Sequence, residues 1–301
     1  MLGPDTLRAL ARGCAVLGAG GGGDTHYALL QALQASEDFG PAPLVDVDEL
    51  PDDALIMPCG GIGAPTVSVE KIENGDEGER LREYLQFLTG RRVAALMAGE
   101  IGGGNGLLPA TWAARMGLPL VDADGMGRAF PEVPQVTMQL AGISPSPAVV
   151  TDERGNLIVF RAISGPWMER LERAAAVEFG GAASSTEFSM TAAQARTATV
   201  RNSVSLAIRI GESTIGATGS PVAALIAELG AFRLVSGKIS DVERRTVRGF
   251  VRGSVVIEGL GEDTGRLIRL ELQNENLVAL ERGRLLASVP DLITVLDSET
   301  A

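Results

Sequence analysis

The first half of the chain repeats one pattern of apolar and polar positions. Apolar residues at helical spacing over 4–15 (Leu7, Leu10, Ala11, Cys14) predict a first helix, with Pro4 suited to an early helical position. A run of glycines, Gly20 to Gly23, leads into a second helix carrying Leu29, Leu30 and Leu33, with Asp24 or Thr25 as its N-cap. Short apolar runs over 43–47, 54–59, 93–98 and 118–123 have strand length. The segments 78–89 and 107–116 are amphipathic or apolar helices between them. Strand, glycine turn, polar cluster and helix alternate, which predicts an α/β N-terminal domain with a mostly parallel or mixed sheet over 1–165. From Val136 the pattern changes. Alternation over 135–143 predicts a strand, and 152–155 predicts a hairpin turn. Helices are expected over 167–177, 191–196, 203–215 and 221–229, and a strand over 182–190. The last 70 residues alternate as strands, including a final one up to Asp297. The region 166–301 therefore reads as a helix-containing, β-rich α+β C-terminal domain.

The stretch 99–134 concentrates the candidate chemistry. Glu100 follows the apolar run VAALMA, four glycines surround Asn105, and Asp122 and Asp124 end a second apolar run before Gly125 and Gly127. Ligands in open α/β sheets bind outside the carboxyl ends of strands. Glu100, Asp122 and Asp124 are thus candidates for a general base or for ligation of a divalent Mg²⁺ or Mn²⁺, which prefer oxygen donors. Asp122 and Asp124 are equally suited to capping a turn. Asn105 and the N–H groups around Gly103 are candidate oxyanion donors, with a left-handed turn as the alternative use of Asn105. Arg128 could hold a substrate carboxylate in two parallel hydrogen bonds, or pair with Glu132. Gly22, Gly23 and Asp24 offer backbone donors at a helix start, or simply close packing. Thr66, Ser68, Glu70 and Lys71 form a polar cluster after a glycine-ended strand, with Glu70 and Lys71 as a pocket pair or a surface pair. Asn274, Glu275 and Asn276 break a strand pattern, as a bulge or a wall of the site. Cys59, at a strand end, has no histidine near it in sequence to act as its base.

Composition narrows the function classes. A net charge of −12 opposes nucleic-acid binding and an anionic membrane surface. The glycine run lacks the Lys-Ser/Thr ending of a phosphate-binding loop. The two cysteines supply no disulfide framework, and no apolar stretch has membrane-spanning length, so a cytoplasmic protein is expected. The single histidine, His26, excludes a His-rich zinc site.

Five segments carry a resemblance: LGAGGGGDTHY (17–27), GAPTVSVEKI (63–72), the 99–133 stretch containing VDADGMGRAFPE, LQNENLVAL (272–280) and SVPDLITVLDSET (288–300). In this order they resemble the S-methyl thiohydantoin desulfurase family over essentially the whole chain. Two departures stand out: members usually extend several dozen residues beyond the last segment, implying a truncated C-terminus here, and His26 occupies a position expected to be small or aromatic. The resemblance implies an α/β domain followed by a β-rich one, and hydrolysis of a hydantoin-like five-membered ring with release of methanethiol. Members often neighbour hydantoinase/oxoprolinase-type proteins. The partners expected are therefore a small-molecule substrate, a hydantoinase/oxoprolinase-like protein and further copies of the chain. The competing class is a non-catalytic scaffold subunit of such a complex.

Overall fold

The computed structural model describes residues 1–68, apart from the side chain of Ser68, and 70–301. The chain opens with helices α1 (Pro4–Gly18) and α2 (Thr25–Phe39). Strands β1 (Leu44–Val45) and β2 (Leu55–Gly63) follow, then the short α3 (Pro65–Ser68) and α4 (Glu77–Thr89). Next come β3 (Val93–Ala98), α5 (Leu108–Met116), β4 (Leu120–Val121), β5 (Ala123–Asp124) and α6 (Thr137–Leu140). A hairpin, β6 (Ala148–Thr151) and β7 (Leu157–Phe160), leads to α7 (Gly165–Glu178), β8 (Ala182–Thr186), β9 (Met190–Thr191), α8 (Ala192–Ala198) and β10 (Val200–Arg201). Helices α9 (Ser203–Ile215) and α10 (Pro221–Leu229) precede five closing strands. These are β11 (Gly237–Val247), β12 (Phe250–Gly259), β13 (Leu267–Gln273), β14 (Glu275–Glu281) and β15 (Arg284–Ser288).

The first sheet has the order β1-β4-β3-β2-β8-β6-β7, with β9 also paired to β2. Strands β1, β4, β3 and the first part of β2 run parallel, whereas β8, β6 and β7 pair antiparallel, so the sheet is mixed. Successive residues of a strand face opposite sides. Leu55, Met57 and Cys59 accordingly pack with α1, α2, α5 and α9 on one face, while Ile56, Ala95 and Met97 pack with Phe188, Met190 and α8 on the other. Burial on both faces explains why these strands read as unbroken apolar runs. Residues from beyond 165 complete this layer through β8 and β9. The second sheet, β11-β12-β13-β14-β15, is antiparallel and has its own core of Val255, Ile257, Ile268, Leu270, Leu272 and Ile293.

Three local expectations are corrected. Segment 135–143 contains the helical turn α6, not a strand. The Thr137 N–H and hydroxyl both donate to the Gly125 carbonyl, and Met138 is buried in the second core. The expected strand over 182–190 is interrupted where Phe188 adopts a left-handed backbone (φ 53°). Beyond Ser288 there is no strand. Pro290 has no N–H to pair, and the Pro290 and Asp291 carbonyls accept from Arg128 instead. Among the described residues no helix is long and apolar enough to cross a membrane.

Helices α1 and α9 touch through backbone. A Cβ on Gly13 would lie 1.8 Å from the Ala207 carbonyl oxygen, and one on Gly211 would lie 1.9 Å from that of Ala9. Overpacked cores lose roughly 1–3 kcal/mol per intrusion, so Gly13→Ala should lower the urea midpoint by a corresponding amount. An unchanged midpoint would show that the two helices separate freely.

Candidate active site

The site begins where β2 changes partner. Up to Cys59 it pairs with β3; from Gly60 to Gly63 it pairs with β8. Strand β3 stops at Ala98, the Gly99 N–H donates to the Cys59 carbonyl, and the sheet splits at this point. A cleft partly open to solvent occupies the split. Glu100, the first side chain beyond the turn, lines it.

Asn105 fixes Glu100. Its Nδ2 donates to Glu100 Oε1 at 2.7 Å and to the Gly61 carbonyl at 3.1 Å, while its Oδ1 accepts from the Gly61 N–H at 2.7 Å. The Phe130 N–H donates to Glu100 Oε2 at 2.9 Å. Each carboxylate oxygen thus has one donor and keeps further acceptor capacity. Burial pushes the Glu100 carboxyl up to about 7, with the Asn105 and Phe130 donors opposing the rise.

The glycine loop brings the second sheet to the same place. Gly104 and Asn105 donate their N–H groups to the Gly23 and Gly22 carbonyls, and Asn276 donates its N–H to the Ala19 carbonyl. Glu275 rests against Gly21: a Cβ there would lie 1.9 Å from Glu275 Oε1. Glu275 is 1% exposed, lines the cleft, and leaves Oε2 without a partner. Burial and the nearby Glu100 push its carboxyl up to about 9. Glu187 also lines the cleft with Oε2 unpartnered, and burial raises it to about 7. Glu73, raised to about 8 by burial and Glu77, lies on the same wall.

Two cationic side chains line the cleft, and both are engaged. Lys71 pairs with Glu153 at 2.9 Å and donates to the Phe179 and Ala182 carbonyls. Arg173 pairs with Glu169 at 2.8 Å and donates to the carbonyls of Gly63, Gly249 and Pro131, its guanidinium 4.2 Å from the Phe250 ring centre. It joins the end of β2, the 131 loop and the β11–β12 turn.

The expected site residues divide into two groups. Glu100, Asn105, Gly22, Gly23, Asp24, Lys71 and Asn274 all line the cleft. Asp24 also caps α2, accepting from the His26 and Tyr27 N–H groups, and Asn274 forms the turn into β14 with φ 57° while its Oδ1 accepts from the Val251 N–H. Asp122, Asp124, Arg128, Thr66, Glu70 and Gly103 do not line it. Asp122 accepts from the N–H and hydroxyl of Ser205 in the first turn of α9. Asp124 is fully buried and accepts from the N–H groups of Ile101, Met126 and Gly127; burial raises it to about 6. It anchors two turns. Arg128 neither pairs with Glu132 nor lines the cleft: its Nε and Nη1 donate to the Ala129, Pro290 and Asp291 carbonyls, and its buried Nη2 has no hydrogen-bond partner. Thr66 meets Thr246 at 3.3 Å, Glu70 is exposed, and Gly103 packs against Gly22. Ser68's side chain lies outside the described residues. The ligand set Glu100, Asp122 and Asp124 is not assembled. Among the described residues no group of three or more His, Cys, Asp or Glu side chains is arranged to hold a metal ion. Cys59 is buried beside the Met97 carbonyl, and burial drives its thiol upward, away from the reactive thiolate.

Sequence reasoning did not select Glu187, Arg173 or Glu73. Arg173 sits in a charged helical segment that reads as a solvated face, and Glu187 has no flanking motif. Only the strand-breaking polar run at Asn274 pointed toward Glu275.

Family models settle what the motifs suggested. The model described as "S-Me-THD-like, N-terminal domain" matches residues 5–162, and "S-Me-THD-like, C-terminal domain" matches residues 163–301. The chain belongs to the S-Me-THD-like family. An X-ray structure of a protein from Chromobacterium violaceum, a structural-genomics target, is 25% identical with a TM-score of 0.77, covering 99% of this chain and 84% of that one. A search of curated proteins finds no match. Two-domain architecture is therefore a property this S-Me-THD-like chain shares with its family models.

The carboxyls of Glu187, Glu73 and Glu275 are all raised on folding. Each stabilises the fold fully below its unfolded value of about 4.5 and loses that contribution as pH rises through about 7, 8 and 9. Asp152, held low by its hydrogen bonds despite burial, has completed its opposite change below this window. Thermal unfolding should therefore show Tm falling from pH about 6 to about 9, and Glu275→Gln should flatten the upper end. A Tm that is constant or rises over that range would contradict the assignment.

Proposed function

We propose that this S-Me-THD-like protein is a hydrolase of a hydantoin-like five-membered ring, with S-methyl thiohydantoin as substrate and methanethiol as the leaving group. The observation that carries the reading is Glu100: a carboxylate at a strand end, lining a cleft, oriented by Asn105 and the Phe130 N–H, and shifted to about 7. A general base works best with a pKa near the operating pH.

In the proposed reaction Glu100 takes a proton from a water molecule as its oxygen adds to the ring carbon bearing sulfur. The C=N bond electrons move to the ring nitrogen, which takes up the proton that Glu100 removed from the water. The tetrahedral carbon then collapses: the C–S bond breaks, the hydroxyl becomes a carbonyl, and the released proton accompanies methanethiolate out as methanethiol. Water is consumed, no redox change occurs, and Glu100 returns to its carboxylate form. The apolar wall, including Leu108, Met126 and Val136, supports exclusion of bulk water from the ring.

Methanethiol release from an S-methyl thiohydantoin, with and without chelator, tests this. Glu100→Gln should lower kcat by about 10²–10⁴-fold, while Asp122→Asn should leave kcat within about three-fold if the fold survives, since it acts at a helix end. The wild-type kcat/KM should rise with pH and level off above about 7, because only ionised Glu100 accepts the proton. Turnover that ignores Glu100→Gln and has a flat profile would sink the base assignment. A folded wild type without turnover would favour a scaffold subunit.

A further inference from the structure

Glu275 is held in the cleft by the residues on either side of it. Asn274 accepts from the Val251 N–H through Oδ1 and donates its own N–H to the Val251 carbonyl. Asn276 donates its N–H to the Ala19 carbonyl and its Nδ2 to the Ile293 carbonyl. Both asparagines are spent on backbone, which fixes the start of β14 between them. Gly21 leaves room for the carboxyl, since a Cβ there would lie 1.9 Å from Glu275 Oε1. The carboxyl takes its own N–H as a donor, and Oε2 has no hydrogen-bond partner. Of the raised carboxyls lining the cleft beside Glu100, it is Glu275 on which Glu100 acts; Glu187 is acted on by Glu169, and Glu73 by Glu77. Arg128 and Arg173 draw Glu275 toward ionisation, but burial and Glu100 outweigh them, so it keeps its proton up to about 9 while Glu100 loses its own near 7. Between these values the pair holds one proton, and that proton rests on Glu275.

We propose that Glu275 is the general acid of the reaction, a second catalytic residue that gives the proton on its otherwise unpartnered Oε2 to the departing sulfur. This rests on the hydrolase reading and goes beyond it. An alkanethiolate leaves poorly without a proton. Free thiols ionise near about 8.5, close to the value for Glu275, and proton transfer between groups so matched is efficient. Once Glu100 has activated the water and passed its proton to the ring nitrogen, the C–S bond breaks. Its electron pair goes to sulfur, which takes the Glu275 proton and leaves as methanethiol. The hydroxyl on the same carbon becomes a carbonyl and loses its proton to the Glu100 carboxylate. That proton then moves to the Glu275 carboxylate, which binds it more tightly, and both residues are restored. One water is consumed, one methanethiol is released, and nothing is oxidised or reduced.

Two leaving groups separate an acid from a structural residue. Turnover of an S-methyl thiohydantoin is compared with that of its S-(4-nitrophenyl) analogue, whose weakly basic arylthiolate departs without a proton, on the full chain. Glu275→Gln, checked for folding by circular dichroism, should lower kcat on the S-methyl substrate by about 10²–10⁴-fold and on the aryl substrate by less than about ten-fold. Glu100→Gln should slow both, since both need activated water. The wild-type kcat/KM for the S-methyl substrate should fall above about 9, where Glu275 loses its proton, and the aryl substrate should show no such fall. Equal losses on the two substrates in Glu275→Gln, or no loss on either, overturn the proposal. If that variant does not fold, the wild-type profiles decide: an alkaline fall confined to the S-methyl substrate supports the acid, and one shared by both substrates or absent from both overturns it. Turnover of both substrates by the wild type with any of these overturning results removes the acid alone. A folded wild type that turns over neither substrate removes the hydrolase reading, and the acid with it.

Discussion

The contact between the 18–23 loop and the 102–104 loop is the constraint on which the site depends. Both loops approach through bare backbone. Cβ atoms on Gly22 and Gly103 would lie 2.2 Å from the Gly102 oxygen and 2.4 Å from the Gly22 carbonyl carbon. Two inter-loop hydrogen bonds, from Gly104 and Asn105 to Gly23 and Gly22, hold them in register. Any side chain at these positions would wedge the loops apart by more than a hydrogen bond tolerates. The glycine run serves packing first, and through packing it serves the site.

From that contact the remaining geometry follows. Asn105, fixed by its N–H to Gly22, reaches both the Gly61 backbone and Glu100. Ala19 accepts from Asn276, which draws the second sheet onto the loop and sets Glu275 against Gly21. Arg173 ties the two sheets from the opposite side through Gly63 and Gly249. The carboxylates are thus desolvated by the joining of two sheets. Their raised proton affinities are consequences of assembly, not properties of any one segment.

The hydrolase reading uses this tension directly. A carboxyl near neutrality is suited to exchanging protons, as Glu100 is. A carboxyl raised further, as Glu275 is, keeps its proton at neutral pH. Asp124 shows that burial alone is insufficient evidence of chemistry. It is more buried than Glu100, but N–H groups from three residues satisfy it, and it faces no cleft.

The residues by themselves determined most of the elements and the part of the chain where the site lies. Apolar periodicity placed α1, α2, α4, β2, β3, α5 and α9 within a few residues, because those segments bury faces whose spacing is written locally. The strand-end position of Glu100, with Asn105 among glycines, was legible for the same reason. The mixed sheet and the β-rich second half were legible from the alternation of patterns. Tertiary structure alone decided the division of labour among the acids. Asp122, Asp124 and Arg128 share the motif with Glu100, but their hydrogen-bond partners lie in α9, in the adjacent turns and at 290–291. Glu187 and Arg173 stand more than 70 residues away from Glu100 in the chain, in a predicted strand and a predicted helix that carry no site motif. Burial of a charge depends on what the rest of the chain lays over it, and that is a long-range fact with no local signature.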